Sequence, residues 1–238
     1  MSPSEAPPAD PALHCLGCAA RNSCLVGQLP RIQQDRLGPL ILEQRFRKGE
    51  VLQAEGTEVE VVRTIKLGTV MLTRLGPDRV MRPVALVGRG HLMGLMGLLG
   101  QTTQVGAQAL SPGRICEVPV AAMLSALDKD PALQDALHQQ ISRTIARLAD
   151  WGQTMRLRGL HRQLVATLML LAHEQGTRMV RIPSHVALSE LLRTTRESVA
   201  RTLRQLEDQG HLQRNDRWHA TLAPGHERVF TEDGTVPS

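Results

Sequence analysis

The sequence predicts an α+β fold: an N-terminal antiparallel β-roll, a long dimerisation helix and a C-terminal winged helix-turn-helix. Three observations predict it. Between Arg47 and about Pro119, short apolar runs are cut by glycines at 49, 56, 68, 76, 88 and 90, the punctuation of antiparallel strands. From Asp130 an amphipathic stretch continues for roughly 27 residues, about 40 Å of helix at 1.5 Å per residue. The run SHVALSELLRTTRESVARTLRQLEDQGHLQR then sets two short helical patterns across a turn. The boundaries that follow are 1-30 for an N-terminal segment, 31-127 for the roll, 128-158 for the helix and 159-238 for the C-terminal domain.

Residues 1 to about 12 are rich in Pro, Ala, Ser and Asp, with little apolar surface to bury, and are expected to be unstructured. The start shows no basic region followed by an apolar core, and no apolar run approaches the roughly 18 residues of a membrane span. The expectation is a cytoplasmic protein with no membrane. Next come Cys15, Cys18 and Cys24 within ten residues, with Cys116 far downstream completing the chain's four cysteines. Soft thiolates suit zinc or an iron-sulfur cluster, and four of them complete a tetrahedral ion or cap the four irons of a cubane. A zinc ribbon pairs two short Cys-x2-Cys knuckles, whereas here one compact loop supplies three ligands and one distant residue closes the site. The spacing favours the cluster. A structural zinc is the main alternative; disulfides need an oxidising compartment, and free thiols would be small core hydrophobes.

In the long helix Asp130 can cap and Pro131 takes the first helical position. Leu137, Ile141, Thr144, Leu148, Trp151 and Met155 recur at alternating steps of four and three, with Ile145 beside them, the spacing of a coiled-coil seam. That helix is longer than a small roll can cover, so a homodimer is expected; the other reading is a stripe packed on its own roll.

Val186, Leu188, Leu191 and Leu192 make a first short helix, Arg193 and Thr194 a turn, and Thr195 the cap of a second helix reaching Gln209, where Gly210 ends it. Val199, Leu203 and Leu206 face inward. Arg196, Glu197, Ala200, Arg201 and Arg204 remain outside, able to meet base edges in a major groove, Arg at guanine O6 and N7 and Glu at the cytosine amino group. Lys and Arg number 28 against 23 acidic residues, a net charge of +5, and arginines concentrate between 193 and 217. With no Tyr and two each of Phe and Trp, stacking platforms for single strands are lacking, so double-stranded DNA is the expected partner. No catalytic acid-base pair or phosphate loop appears, so an enzyme is not expected; an iron-sulfur electron carrier would have no use for the reading helix.

HCLGCAARNSC, GHLMGLMGLL, GAQALSPGRICEVP and RTTRESVARTLRQLEDQGHL together resemble the Crp/Fnr superfamily of bacterial regulators, and within it the cysteine pattern resembles the fumarate and nitrate reduction group. The resemblance runs from about His14 to Phe230. It implies a cyclic-nucleotide-binding-like roll and a homodimer that binds palindromic operators, meets RNA polymerase and controls anaerobic metabolism. It also implies an oxygen-labile 4Fe-4S cluster on Cys15, Cys18, Cys24 and Cys116. Nucleotide-binding relatives place Glu and an Arg-Ser or Arg-Thr pair where this chain has Gly94-Leu95 and Gln104-Val105. These positions offer no cation or hydroxyl to a phosphate, so no cyclic nucleotide is expected. Glu197 and Arg201 match both groups of readers, Arg196 resembles the cyclic AMP receptor side, and Ala200 replaces the serine of the other. The half-site therefore stands between TTGAT and TGTGA. Arg193 occupies a turn position where the family has Gly, a cost if positive φ is needed.

Overall fold

The computed structural model describes residue 15 and residues 17–224; the expected unstructured start and the stretch beyond 224 lie outside them. The glycine-punctuated region folds into two four-stranded antiparallel sheets. One has the order β1 (Leu42–Phe46), β8 (Gly113–Pro119), β3 (Val61–Leu67), β6 (Leu92–Met93). The other runs β2 (Val51–Gln53), β7 (Gly106–Ala109), β4 (Val70–Leu75), β5 (Met81–Val87). Period-two alternation sorts the side chains of the first sheet. Ile65 and Ile115, paired in register, join Phe46, Val70, Leu72, Ala85, Val87 and Ala107 in the main core. Val62 and Val118, also paired, belong to a second core on the opposite face.

That second core is closed by the N-terminal segment and three helices. Leu25, Val26 and Leu29, then Leu37 of α1 (Arg31–Leu37), Met123 of α2 (Val120–Leu127) and Leu133 and Leu137 of α3 (Pro131–Arg156) are all buried in it. The cap expected at α3 is present: an Asp130 carboxylate oxygen accepts from the N–H groups of Ala132 and Leu133, with Pro131 at the first turn, and also from Gln33 Nε2 at 2.8 Å.

The expected seam is corrected. Leu137 is 8% exposed and Trp151 has no exposed surface, so both are spent on this chain's own cores, and Thr144 is half-buried, its hydroxyl bonded to the Gln140 carbonyl. The apolar stripe of α3 is broader than a two-position seam. One edge, through Leu133, Leu137, Gln140, Trp151 and Thr154, packs inward, and the other leaves Ile145 63% and Leu148 40% exposed, with Ile141 and Met155 half-buried.

The C-terminal region comprises α4 (Leu160–Gln175), β9 (Met179–Arg181), α5 (His185–Leu191), α6 (Arg196–Asp208), β10 (Leu212–Arg214) and β11 (His219–Leu222), the strands in the order β10-β11-β9. Leu164, Leu171, Leu188, Val199, Leu203 and Leu206 are fully buried at its centre. Val186, in the first turn of α5, is 44% exposed, whereas Leu188, Leu191 and Leu192 are buried. Trp151 belongs to the same apolar cluster as these leucines and the roll interior, so one continuous core runs from the roll into the C-terminal helices.

Candidate metal centre and nucleic-acid interface

The four cysteines come together. Turns built by Cys18 N–H to the Cys15 carbonyl and Cys24 N–H to the Ala20 carbonyl curl the segment, and buried Ala20, Leu25 and Val26 seat it on the outer face of the first sheet. Cys116 lies on β8 one step from Ile115, so alternation turns it away from the roll interior toward that segment. Its register neighbours are Glu43 on β1 and Thr64 on β3. Cys15, Cys18, Cys24 and Cys116 line one cavity of about 130 Å³ with Arg21, Glu43, Lys66 and Val118 among its walls. Among the described residues no three His, Cys, Asp or Glu side chains are grouped so as to hold a single metal ion.

The electrostatics follow from partial burial. Burial pushes the Cys116 thiol up to about 12, with Cys24, Glu43 and Cys18 adding to the rise and Lys66 opposing it. Burial also raises Cys24, against which the backbone N–H groups of Val26 and Gly27 act as donors to its sulfur. Cys15 is raised by burial and by Cys18, while Lys66 and Arg21 pull it down. Burial weakens the charge of Lys66, but its hydrogen bond to Glu43 and the nearby Cys18 and Cys116 outweigh that and hold the ammonium form. Lys66 and Arg21 escape a search for ligands by sequence because neither is a metal donor. The signal for Lys66 is its place on the face of β3 that period two assigns to the cysteines.

The candidate recognition surface is the N-terminal half of α6. Thr195 caps it by accepting from Ser198 N–H at 3.1 Å, and Arg193 in the preceding turn has φ +51. Arg196, Glu197, Arg201 and Arg204 are exposed and Ala200 half-buried, while Val199 and Leu203 are fully buried. The helix's own N-terminal N–H and the Thr195 hydroxyl hold the Glu197 carboxyl below the usual carboxylate range. Arg196, Glu197 and Ala200 border a groove of about 640 Å³ whose other wall is Arg214, Asp216, Arg217 and Trp218 from the β10–β11 hairpin. The Trp218 ring carries Arg217 at 4.9 Å and Lys48 of the roll at 5.5 Å. Arg214 and Arg217 close the arginine-rich stretch noted between 193 and 217 but were not assigned to the reading surface from sequence, and Lys48 was not picked out; a basic, Trp-bearing hairpin tip just after the reading helix was the available sign.

A second cavity, about 790 Å³, lies between the roll and α3 and reaches the turn before α6. Here the premise that a phosphate would find no cation or hydroxyl needs correction. Gly94, Leu95, Gln104 and Val105 do line it, but so do Arg74, Arg82, Arg193, Thr103 and Thr144. Arg82 is held by Asp78, the Thr103 hydroxyl donates to the Ala54 carbonyl at 2.5 Å, and that of Thr144 to Gln140.

Comparison with known proteins places these modules. Residues 43–130 match the model of the cyclic nucleotide-binding domain, and residues 162–222 that of the Crp-like helix-turn-helix domain. A probable transcriptional activator of Rhizobium leguminosarum bv. viciae is 24% identical over 82% of this chain and 83% of its own length. The transcriptional activator protein anr of Pseudomonas aeruginosa is 30% identical over 57% of this chain and 56% of its own, so that match spans little more than half of either protein. Among solved structures, FixK2 from Bradyrhizobium japonicum superposes with a TM-score of 0.69 at 21% identity, covering 83% of this chain and 99% of that one. A transcriptional regulator of the CRP family from Thermus thermophilus gives 0.61 at 19%, covering 82% and 98%. At these identities the two structures show the fold. No helix among the described residues is long and apolar enough to cross a membrane.

Proposed function

Because this chain belongs to the Crp/Fnr family of transcription regulators, DNA-binding proteins and not enzymes, we propose that it is an oxygen-responsive member whose four cysteines hold a 4Fe-4S cluster. In this reading it works as a homodimer on palindromic operators under low oxygen. One observation carries it: three cysteines of a short segment and a fourth from the middle of a strand line a single cavity, and the core against which Cys15 and Cys24 pack also holds Leu133 and Leu137 of α3, the helix with the exposed apolar edge.

The residues fit such a group. Four thiols match its donor set, two backbone N–H groups already point at the Cys24 sulfur, and Lys66 and Arg21 offset negative charge. When bound, the cluster supplies an oxygen-sensitive cross-link between the segment and the strand. The chain's own part is mechanical. Cys15, Cys18 and Cys24 tie the segment down, Cys116 fixes it to β8, and the shared core passes that order to the start of α3 through Leu133 and Leu137. A firm α3 presents Ile145 and Leu148 to a second copy. Two copies offer two α6 helices to successive major grooves, where one copy makes half of the phosphate and base contacts. A coupling of about 1 to 3 kcal/mol is sufficient for a switch of this kind.

The reading leaves out cyclic nucleotides. In the larger cavity Arg82 and both hydroxyls already have partners, leaving Arg74 and, in the turn before α6, Arg193 as cations, with Leu95, Met96 and Leu148 lining the space where a nucleotide would lie. Calorimetric titration with cyclic AMP is expected to be flat; tight binding would reverse that part.

The deciding measurement is the visible spectrum of protein purified without oxygen. A brown protein with four irons, bleaching in air and losing operator affinity as it does so, supports the proposal. A colourless protein with stoichiometric zinc removes the oxygen sensor and leaves a zinc-stabilised regulator.

A further inference from the structure

The four residues 88–91, between β5 and β6, touch three parts of the molecule that the sequence keeps far apart. On one side is the helix-turn-helix domain. Gly88 N–H donates to Glu174 Oε2 at 2.8 Å, and Arg89 N–H donates to the Glu174 carbonyl at 3.0 Å. Glu174 is the penultimate residue of α4, 3% exposed, and its other carboxylate oxygen lies 3.5 Å from Arg147 Nε on α3. A Cβ on Gly88 would stand 2.8 Å from the Glu174 carbonyl oxygen, so the loop backbone and the end of α4 are in direct contact.

On the other side is the cysteine segment. Gly90 has φ +82, and a Cβ there would run into the carbonyl of Ser23, the residue before Cys24. The Gly90 carbonyl accepts from Gln140 Nε2 of α3 at 2.8 Å, and its N–H donates to the Ile65 carbonyl at 2.8 Å. The loop therefore has close neighbours on both flanks and hydrogen bonds to the roll and α3 between them. With no side chain at 88 or 90 to take up slack, a shift on one flank displaces the other.

We propose that Glu174 is a positioning residue which, through the loop at 88–91, couples the seating of the cysteine segment to the docking of the helix-turn-helix domain. Removing its carboxylate orphans the buried Gly88 N–H and leaves Arg147 without its partner, so α4 loosens from the loop and the loop from Ser23. Coupling of this kind is reciprocal: what the segment does to the DNA-binding domain, the domain does to the segment. The inference gains its use from the proposed regulation, but it can be tested without cluster or DNA, and so stands or falls separately.

The test reads Cys24 from the far end of the relay. Metal-free full-length protein is treated with iodoacetamide at fixed pH and the alkylation of Cys24 followed by mass spectrometry. Glu174→Ala is expected to speed Cys24 labelling roughly tenfold, the middle of the range for coupled sites. Leu212→Ala, which loosens the core of the same domain away from the loop, is the control and should label at the parent rate. Equal rates for Glu174→Ala and the parent, or equal acceleration in Leu212→Ala, would overturn the proposal. Should Glu174→Ala fail to fold, Glu174→Gln keeps an acceptor for Gly88 and deprives only Arg147. It should label several-fold faster than the parent, and an unchanged rate overturns the proposal equally.

Discussion

Two single residues hold the fold at some cost. Arg193 has φ +51, in a region that costs a residue with a Cβ about 1 kcal/mol and glycine almost nothing. Arg193→Gly should therefore raise stability by about 0.5 to 1 kcal/mol, part of the gain being returned through a looser unfolded chain, as a shift of the urea midpoint would show. His91 is buried with Nδ1 unpartnered, and burial, with Arg147 nearby, presses its pKa down to about 3. The unfolded imidazole titrates near 6.5 and binds the proton that the folded one refuses. Stability is thus full above about pH 6.5 and falls as pH drops toward 3, by up to about 1.4 kcal/mol per pH unit. Glu174, raised by burial, acts in the opposite direction. His91→Leu should flatten the denaturation midpoint against pH between 7 and 5; an unchanged slope would show that other groups set it.

Elements were legible where one rule governs them. The Asp130–Pro131 start of α3, the Thr195 cap and the inward Val199, Leu203 and Leu206 of α6 follow from local chemistry and a 3.6-residue period. Alternation likewise places Cys116 on the outer face of its strand, but which segment covers that face is a long-range fact that no local pattern encodes. The α3 seam shows where periodicity runs out. Leu137 and Trp151 share the heptad spacing of Ile141 and Leu148, and spacing does not say which side of a broad stripe meets the chain's own core and which a second copy. Mutation separates them. Ile145→Asp, on the exposed edge, should leave the monomer folded and weaken the dimer by several kcal/mol through repulsion across a two-fold axis, read by sedimentation of the anaerobic protein. Trp151→Ala should instead cost about 3 to 5 kcal/mol of monomer stability. A fully dimeric Ile145→Asp protein would put the interface elsewhere.

At the scale of the whole molecule the candidate reading surface extends past the helix predicted to carry it. Arg196 shares its groove with Arg214 and Arg217 of the wing, and Lys48 of the roll stands over Trp218. In a dimer this doubles into two basic tracks about one helical turn apart, so affinity should fall steeply with salt and comparison of operators needs a single salt concentration. In the proposed reading, specificity rests on fewer groups. Glu197 and Arg201, one turn apart on the exposed face, suit the G·C pair common to TTGAT and TGTGA half-sites. Arg196, at the first position of α6 and exposed, adds a bidentate donor that guanine satisfies better than thymine by about 1 to 3 kcal/mol. The protein should accordingly tolerate G at the second half-site position, and Arg196→Ala should shift the balance toward TTGAT by roughly ten-fold while changing the salt dependence little. If the parent already prefers TTGAT and keeps that preference in Arg196→Ala, this arginine touches only phosphate; a salt slope reduced by about one would then be its signature.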